Sequence, residues 1–196
     1  MKTAKLMLAV LFLFTSASFS QVKWSFDNAH SSVIFHVKHM VISEVSGYFK
    51  EFSGSVESKK DDDFSGAKIN FTIKAATITT DNEKRDAHLR SDDFFNTDKF
   101  PEIKFVGKSM KKVSKGKYVL TGDFTMRDVT KEIKLDVEYN GTVKDPWGNT
   151  RAGFHLTGQV NRFDYNLKWN TVIEAGGAVV SKDVKLDCNV EIVKAK

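Results

Sequence analysis

The chain has 196 residues, with 30 Lys and Arg against 25 Asp and Glu, a net charge of +5 whose signs are interleaved. It has no basic block or stripe of the kind a nucleic-acid binder carries, so nucleic acid is excluded as a partner. A single cysteine, Cys188, excludes an intramolecular disulfide scaffold, and burial alone must hold the fold.

Residues 1–20 read as a signal peptide: Lys2 and Lys5 form a basic start, Leu6 to Phe14 an apolar run, and Ser18-Phe19-Ser20 a small-x-small cleavage signal. The apolar run is shorter than the ~20 residues that span a bilayer, and no cysteine directly follows it to carry a lipid. The expectation is a soluble periplasmic or secreted protein without stable membrane insertion. Its mature domain spans residues 21–196 and retains a charge of +3 once Lys2 and Lys5 are gone. That length fits one domain and a substantial core.

From Ser32 the hydrophobic period is two: Val33, Phe35 and Val37 share one face, Ile34, His36 and Lys38 the other. A second strand is expected over Val45 to Val56, and Ile69, Phe71, Ile73 and Ala75 mark a third. Between that strand and the next, Thr80-Asp81-Asn82-Glu83 spells a capping box and predicts a short helix starting near Asp81. On it Arg85, His88, Leu89 and Asp92 share one face and Asp86, Arg90 and Asp93 another, while Phe94, Phe95 and Phe100 follow as apolar plugs. Alternation resumes in Ile103, Phe105, Gly107 and in Tyr118, Leu120, Gly122, Phe124, Met126. It continues in Ile133, Leu135, Val137, Tyr139, Gly141, in Ala152, Phe154, Leu156, Gly158, Val160, and in Val184, Leu186, Cys188, Val190, Ile192. Short antiparallel connections are signalled by Lys115-Gly116, by Met126 to Thr130 and by Asp145-Pro146-Trp147-Gly148-Asn149.

About eight strands, each with one apolar and one polar face, must stack or close, and closure removes the exposed edges. The expected fold is all-β, an extended eight-stranded antiparallel barrel with the short helix across one mouth. Such a barrel has an interior just wide enough to be filled by side chains or to hold one slender ligand. Five expected inward positions are glycines, Gly47, Gly107, Gly122, Gly141 and Gly158. They read either as room for something other than side chains or as bulges and bends where the sheet coils. Two readings also stand for Arg85, His88 and Arg90: they hold the lid by pairing locally, or they meet a polar or anionic head group.

Several stretches in order resemble the YceI-like family. They are Asp27 to His39, Ser46-Gly47-Tyr48-Phe49 with Phe52-Ser53-Gly54, Arg85 to Phe95, and Phe100 to Phe105. Gly122 to Lys131, Asn161 to Tyr165 and Glu174-Ala175-Gly176-Gly177 complete the match. Two departures are visible: Asp128 stands where the family often has Gly, and Asn166 follows Tyr165 where Gly is frequent. The resemblance implies a lipocalin-like barrel with a hydrophobic tunnel, a helix near one opening, and a bound polyisoprenoid, prenylated quinone, or fatty acid or amide. It brings no catalytic residues and no cofactor other than such a lipid.

The candidate wall comprises Phe35, Val37, Phe49, Ile69, Phe71, Ile73, Phe105, Leu120, Phe124, Leu135, Val137, Phe154, Leu156, Leu186 and Cys188, with Phe94 at the helix end. A polar head would lie near His39, Arg85, His88, Arg90 and Arg162. Each buried methylene contributes about 0.8 kcal/mol, so the tail needs no polar partner. On the apolar row Cys188 reads as a buried, unreactive thiol. His30, His36, His39, His88 and His155 show no metal-ligand spacing, and no metal is expected. The chain lacks a nucleophile elbow, a phosphate loop and an H-E-x-x-H helix, and Asp164, Arg162 and His155 position no nucleophile, so no enzyme is expected. The competing function is a structural or stress-response barrel with a filled core and no ligand, and a homodimer is left open.

Overall fold

A computed structural model describes residues 21–172 and 178–196. The signal-peptide reading at residues 1–20 and the match at residues 174–177 lie outside the described residues.

The chain opens with β1 (Val22–Phe26), β2 (Ser32–His39), β3 (Ser43–Phe49), β4 (Phe52–Ser58), β5 (Lys68–Lys74) and β6 (Ile78–Thr79). Helix α1 (Glu83–Arg90) follows, then β7 (Glu102–Ser114), β8 (Lys117–Met126), β9 (Val129–Lys144), β10 (Thr150–Asn161) and β11 (Val180–Lys194). All pairings are antiparallel, in the order β1, β4, β5, β7, β8, β9, β10, β11, and β11 closes the barrel onto β1 through Trp24 opposite Lys194. Along the same edge the first half of β11 pairs β2, which pairs β3, which pairs β6. The eight staves of the barrel are therefore built from eleven strands, three staves being broken in the middle.

Each break is held by local bonds. The Asn28 side chain donates to Phe52 O at 2.7 Å, and Thr77 Oγ1 accepts from the Glu51 amide at 3.1 Å. The strand expected over Val45 to Val56 is thus divided at Lys50 and Glu51. β1 lies outside the expected set, although Val22, Trp24 and Phe26 alternate as cleanly as any later strand.

The inward glycines are explained by register. Around one level of the barrel, Leu135 lies opposite Gly158, Gly158 opposite Leu186, Leu186 opposite Phe35, and Phe35 opposite Gly47. A Cβ on Gly47 would overlap the Phe35 ring, one on Gly122 the Phe105 ring, and one on Gly158 the Leu135 methyl, while at Gly107 it would meet Ile69 Cβ at 3.2 Å. These four glycines are seats for neighbouring large side chains, which corrects the reading that they leave room for a ligand. Gly141 has φ +127° and sits where the β9–β10 register shifts, so it is a bulge. The two departures from the family pattern, Asp128 (φ 57°) and Asn166 (φ 62°), are both left-handed. Asp and Asn are the side chains that tolerate that region best after glycine.

One end of the barrel is packed shut. Trp24, Phe64 and Tyr118 are buried there, Phe64 meets Phe154 edge-on at 4.7 Å, and Trp24 Nε1 donates to Ser58 Oγ at 2.9 Å. On the outside of this end the Arg151 guanidinium joins Asp27, Asp145 and Glu191, tying three segments that are far apart in sequence.

Candidate functional site

The other end carries α1, whose cap differs from the expected box. Asn82 caps the helix by accepting from the Arg85 amide at 3.0 Å. Thr80 instead points inward, and its amide and hydroxyl both donate to the buried Asp86 carboxylate, which also accepts from Thr79 Oγ1 at 2.9 Å. Burial alone would raise the Asp86 carboxyl, but the bonds from Thr80 and Thr79 outweigh it and hold the group below its ordinary value. Arg85 closes the same knot, with Nε on Thr80 Oγ1 at 2.7 Å and Nη2 on Thr80 O at 2.9 Å. This braces α1 against β6 and aims Leu89 inward, with Phe94 and Phe95 from the following turn.

Between the two ends the inward rows are incompletely packed. Phe35, Phe71, Phe124, Ile133, Leu135, Leu156, Leu186 and Cys188 point inward yet remain partly accessible. They are reached from inside, across a cavity of about 210 Å³. Apolar cavities of roughly 150 Å³ stay dry and take up benzene, so this one is large enough for organic cargo. Its lining runs along β11 from Val180 to Ile192. At ~3.3 Å per residue and a strand tilt of roughly 40°, that is about 30 Å along the axis. That volume is less than an extended hydrocarbon chain about 30 Å long would fill, so a long tail is seated as the partly accessible inward side chains turn aside.

Of the expected wall, Phe35, Val37, Phe49, Ile69, Phe71, Ile73, Phe94, Phe105, Leu120, Phe124, Leu135, Val137, Phe154, Leu156, Leu186 and Cys188 line this cavity, as does Arg162. Protein surrounds Cys188 except on the cavity side, and burial pushes its thiol up to about 11. Lining residues outside the expected wall include Phe26, Phe64, Met110, Leu89, Phe95 and Leu167. The alternation of β1 signalled Phe26, whereas Phe64 and Leu167 lie in loops where periodicity gives no sign.

Four expected head-group residues lie outside the cavity. His39 is half-buried at the end of β2, past the lining residue Val37. Arg85 is taken by Thr80, His88 pairs Asp93 at 2.8 Å, and Arg90 Nη1 lies 3.5 Å from Ile78 O. For the three on α1 the cause is the helix orientation, which turns Leu89 to the interior and Arg85, His88 and Arg90 to the rim. Phe100 also stays outside, beneath Lys99 and Arg127, which stand 5.3 and 5.5 Å from its ring centroid. Asp164 and His155 form no group with Arg162: Asp164 pairs Lys131 and His155 pairs Asp187. Asp27, His30 and Glu191 bring possible metal ligands within 4.8 Å of one another, but the Arg151 guanidinium already bridges the two carboxylates.

Among the described residues Arg162 is the single charged one of the lining, and it is 3% exposed. It donates from Nε to Ser181 O at 2.8 Å, from Nη1 to Leu167 O and Trp169 O at 2.7 Å each, and from Nη2 to Val180 O at 3.1 Å. Its guanidinium carbon stands over the Phe163 ring, 4.4 Å from the centroid. Desolvation pulls its pKa down, and among the described residues no carboxylate pairs with it. Four of the five N–H donors of a guanidinium are committed, which leaves one on Nη2. The site is thus an apolar bore with one cationic donor near the α1 end.

The YceI-like domain model matches residues 24–192, nearly the whole described chain. A UPF0312 protein of Staphylococcus aureus strain MSSA476 is 44% identical over 169 residues, covering 86% of this chain and 95% of that protein. Among solved structures, the Campylobacter jejuni YCEI protein has 33% identity and a TM-score of 0.67 over 81% of this chain and 90% of that one. A polyisoprenoid binding domain from Saccharophagus degradans shares the fold with a TM-score of 0.61 at 14% identity, covering 88% of this chain and 98% of that one. The chain belongs to the YceI-like family.

Proposed function

We propose that this member of the YceI-like family is an exported binding protein that holds one long-chain amphiphile in its barrel, for storage or transport. The cargo class is a polyisoprenoid, a prenylated quinone, or a fatty acid or amide. The carrying observation is the cavity lining, apolar among the described residues except for Arg162 and extending about 30 Å along the barrel by strand geometry. Its narrowness favours one extended tail over a compact ring system. Binding rather than catalysis is further supported by the described side chains that meet the cavity, which offer neither a nucleophile beside a base nor a pair of carboxylates. The relative from Saccharophagus degradans, named for polyisoprenoid binding, supports the same class of cargo. In this reading the tail lies along the rows of β7 to β11 and its polar end approaches the remaining Nη2 donor of Arg162. A filled structural barrel is the weaker reading, because the partly accessible inward rows would then lie buried.

Native mass spectrometry of the purified protein, followed by lipid extraction, tests the proposal. A mass excess of one lipid per chain is expected. Bare polypeptide that takes up neither added isoprenoid nor fatty amide would overturn it.

A further inference from the structure

The hairpin between β2 and β3 stands at the same end of the barrel as α1, and its tip is apolar. Met40 is 38% exposed, Val41 68% and Ile42 88%. The turn closes with the Ile42 amide on His39 O at 3.2 Å, and its two central residues are left-handed, Met40 at φ 48° and Val41 at φ 66°. Hairpin turns with two left-handed central residues favour Asn-Gly there, and a β-branched residue at positive φ is an outlier. The turn is less stable for these residues, and what they provide instead is an exposed hydrophobic point.

The point belongs to a larger patch. The Met40 amide donates to Val179 O at 2.9 Å, the Val179 amide to Thr171 O at 2.8 Å, and Val172 bridges Ala178. Val172, 71% exposed, therefore extends the apolar surface beside the tip. The patch adjoins the bore, since Val180 pairs His39 and both Val180 and Val37 line the cavity. Lysines stand exposed nearby: Lys38 precedes His39 on β2, Lys182 lies on β11 between Val180 and Val184 with the partly buried Asp183 after it, and Lys168 lies on the loop leading to Thr171, while Glu44, opposite Lys38, is engaged by Lys185 at 3.4 Å. An apolar point with exposed lysines on the adjoining segments complements an anionic bilayer surface, where the point enters the acyl boundary and the lysines meet phosphates.

We propose that the Met40–Ile42 hairpin tip, with Val172 beside it, docks the barrel mouth onto an anionic lipid surface. The purpose, exchange of cargo with the bilayer, rests on the proposed function, but the docking itself does not. The two are separated by measuring flotation with vesicles of phosphatidylglycerol and phosphatidylethanolamine free of cargo, and cargo affinity in solution without vesicles. The wild type should float with the vesicles. A Val41→Asn/Ile42→Thr variant should bind them about tenfold more weakly or worse, with unchanged cargo affinity. Its Tm should hold or rise, because Asn suits positive φ better than Val. Wild type that fails to float, or a variant that floats equally well, would overturn the proposal. So would light scattering that finds a dimer dissociated by the double variant, since the patch would then be covered by a second copy.

Discussion

Replacing Cys188 by Phe distinguishes a hollow barrel from a solid one by the sign of a stability change. Cys188 sits on β11 opposite Leu156 and Val33 and faces the cavity of about 210 Å³. In a filled core an extra ring would force neighbours off their rotamers and cost about 1–3 kcal/mol. In the bore the ring enters empty space, and burying a Phe is worth about 1.5–3 kcal/mol, somewhat less after the thiol's own burial is subtracted. A net gain on the order of 1–2 kcal/mol is expected for lipid-free protein. For a domain of this size each kcal/mol moves Tm by roughly 2–4 °C, so Tm should rise by about 2–8 °C. Differential scanning calorimetry on delipidated wild type and variant reads this directly. Uptake of a fluorescent fatty acid should fall about tenfold or more, because the ring takes up space the tail needs. A lower Tm for the variant would refute the reasoning, because it would mean that protein already occupies the space.

Gly122→Ala should lower stability by about 1–3 kcal/mol in urea denaturation, since its Cβ would overlap the Phe105 ring and lie 2.6 Å from Val106 O; a neutral result would contradict the seat reading. Arg162→Gln should cost 3 kcal/mol or more by the same assay, since several buried carbonyls lose their donor; loss of ligand affinity at unchanged stability would assign Arg162 to the cargo alone. In acid, Asp27 is held down to about 2 by the Arg151 guanidinium and by His30, and Asp145 is likewise held low by Arg151. Depressed carboxylates stabilise the fold above their unfolded range and lose that contribution on protonation. Unfolding free energy should therefore hold down to about pH 4 and fall toward pH 2, less steeply in Arg151→Gln; identical slopes would show that the Arg151 cluster contributes nothing.

The barrel was legible because period-two alternation is a direct consequence of a sheet with one buried face. It located β7 to β11 and their turns, down to Gly116 at φ +70°. What it could not convey is interruption: nothing in the alternation from Val45 to Val56 announces the break at Lys50 and Glu51, which is fixed by Thr77 and Asn28 from elsewhere in the chain. The glycines misled for a related reason, since whether a missing side chain leaves room depends on the cross-strand neighbour, and that neighbour is set by register. The wall of the cavity followed from strand parity, but the engagements of the charged residues near α1 did not. Arg85 and Arg90 suit an anion by chemistry, and only the fold reveals that Thr80 and Ile78 O already engage them. The carbonyl cradle of Arg162 brings together Leu167, Trp169, Val180 and Ser181, and no local pattern encodes that convergence.

A crystal structure of the protein as purified, without added lipid, is the most direct measurement. Continuous non-protein electron density running along the axis from Val180 to Ile192, in van der Waals contact with Phe35, Phe124 and Leu156, is the expected result. Side chains meeting across the axis, with no space between them, would contradict it.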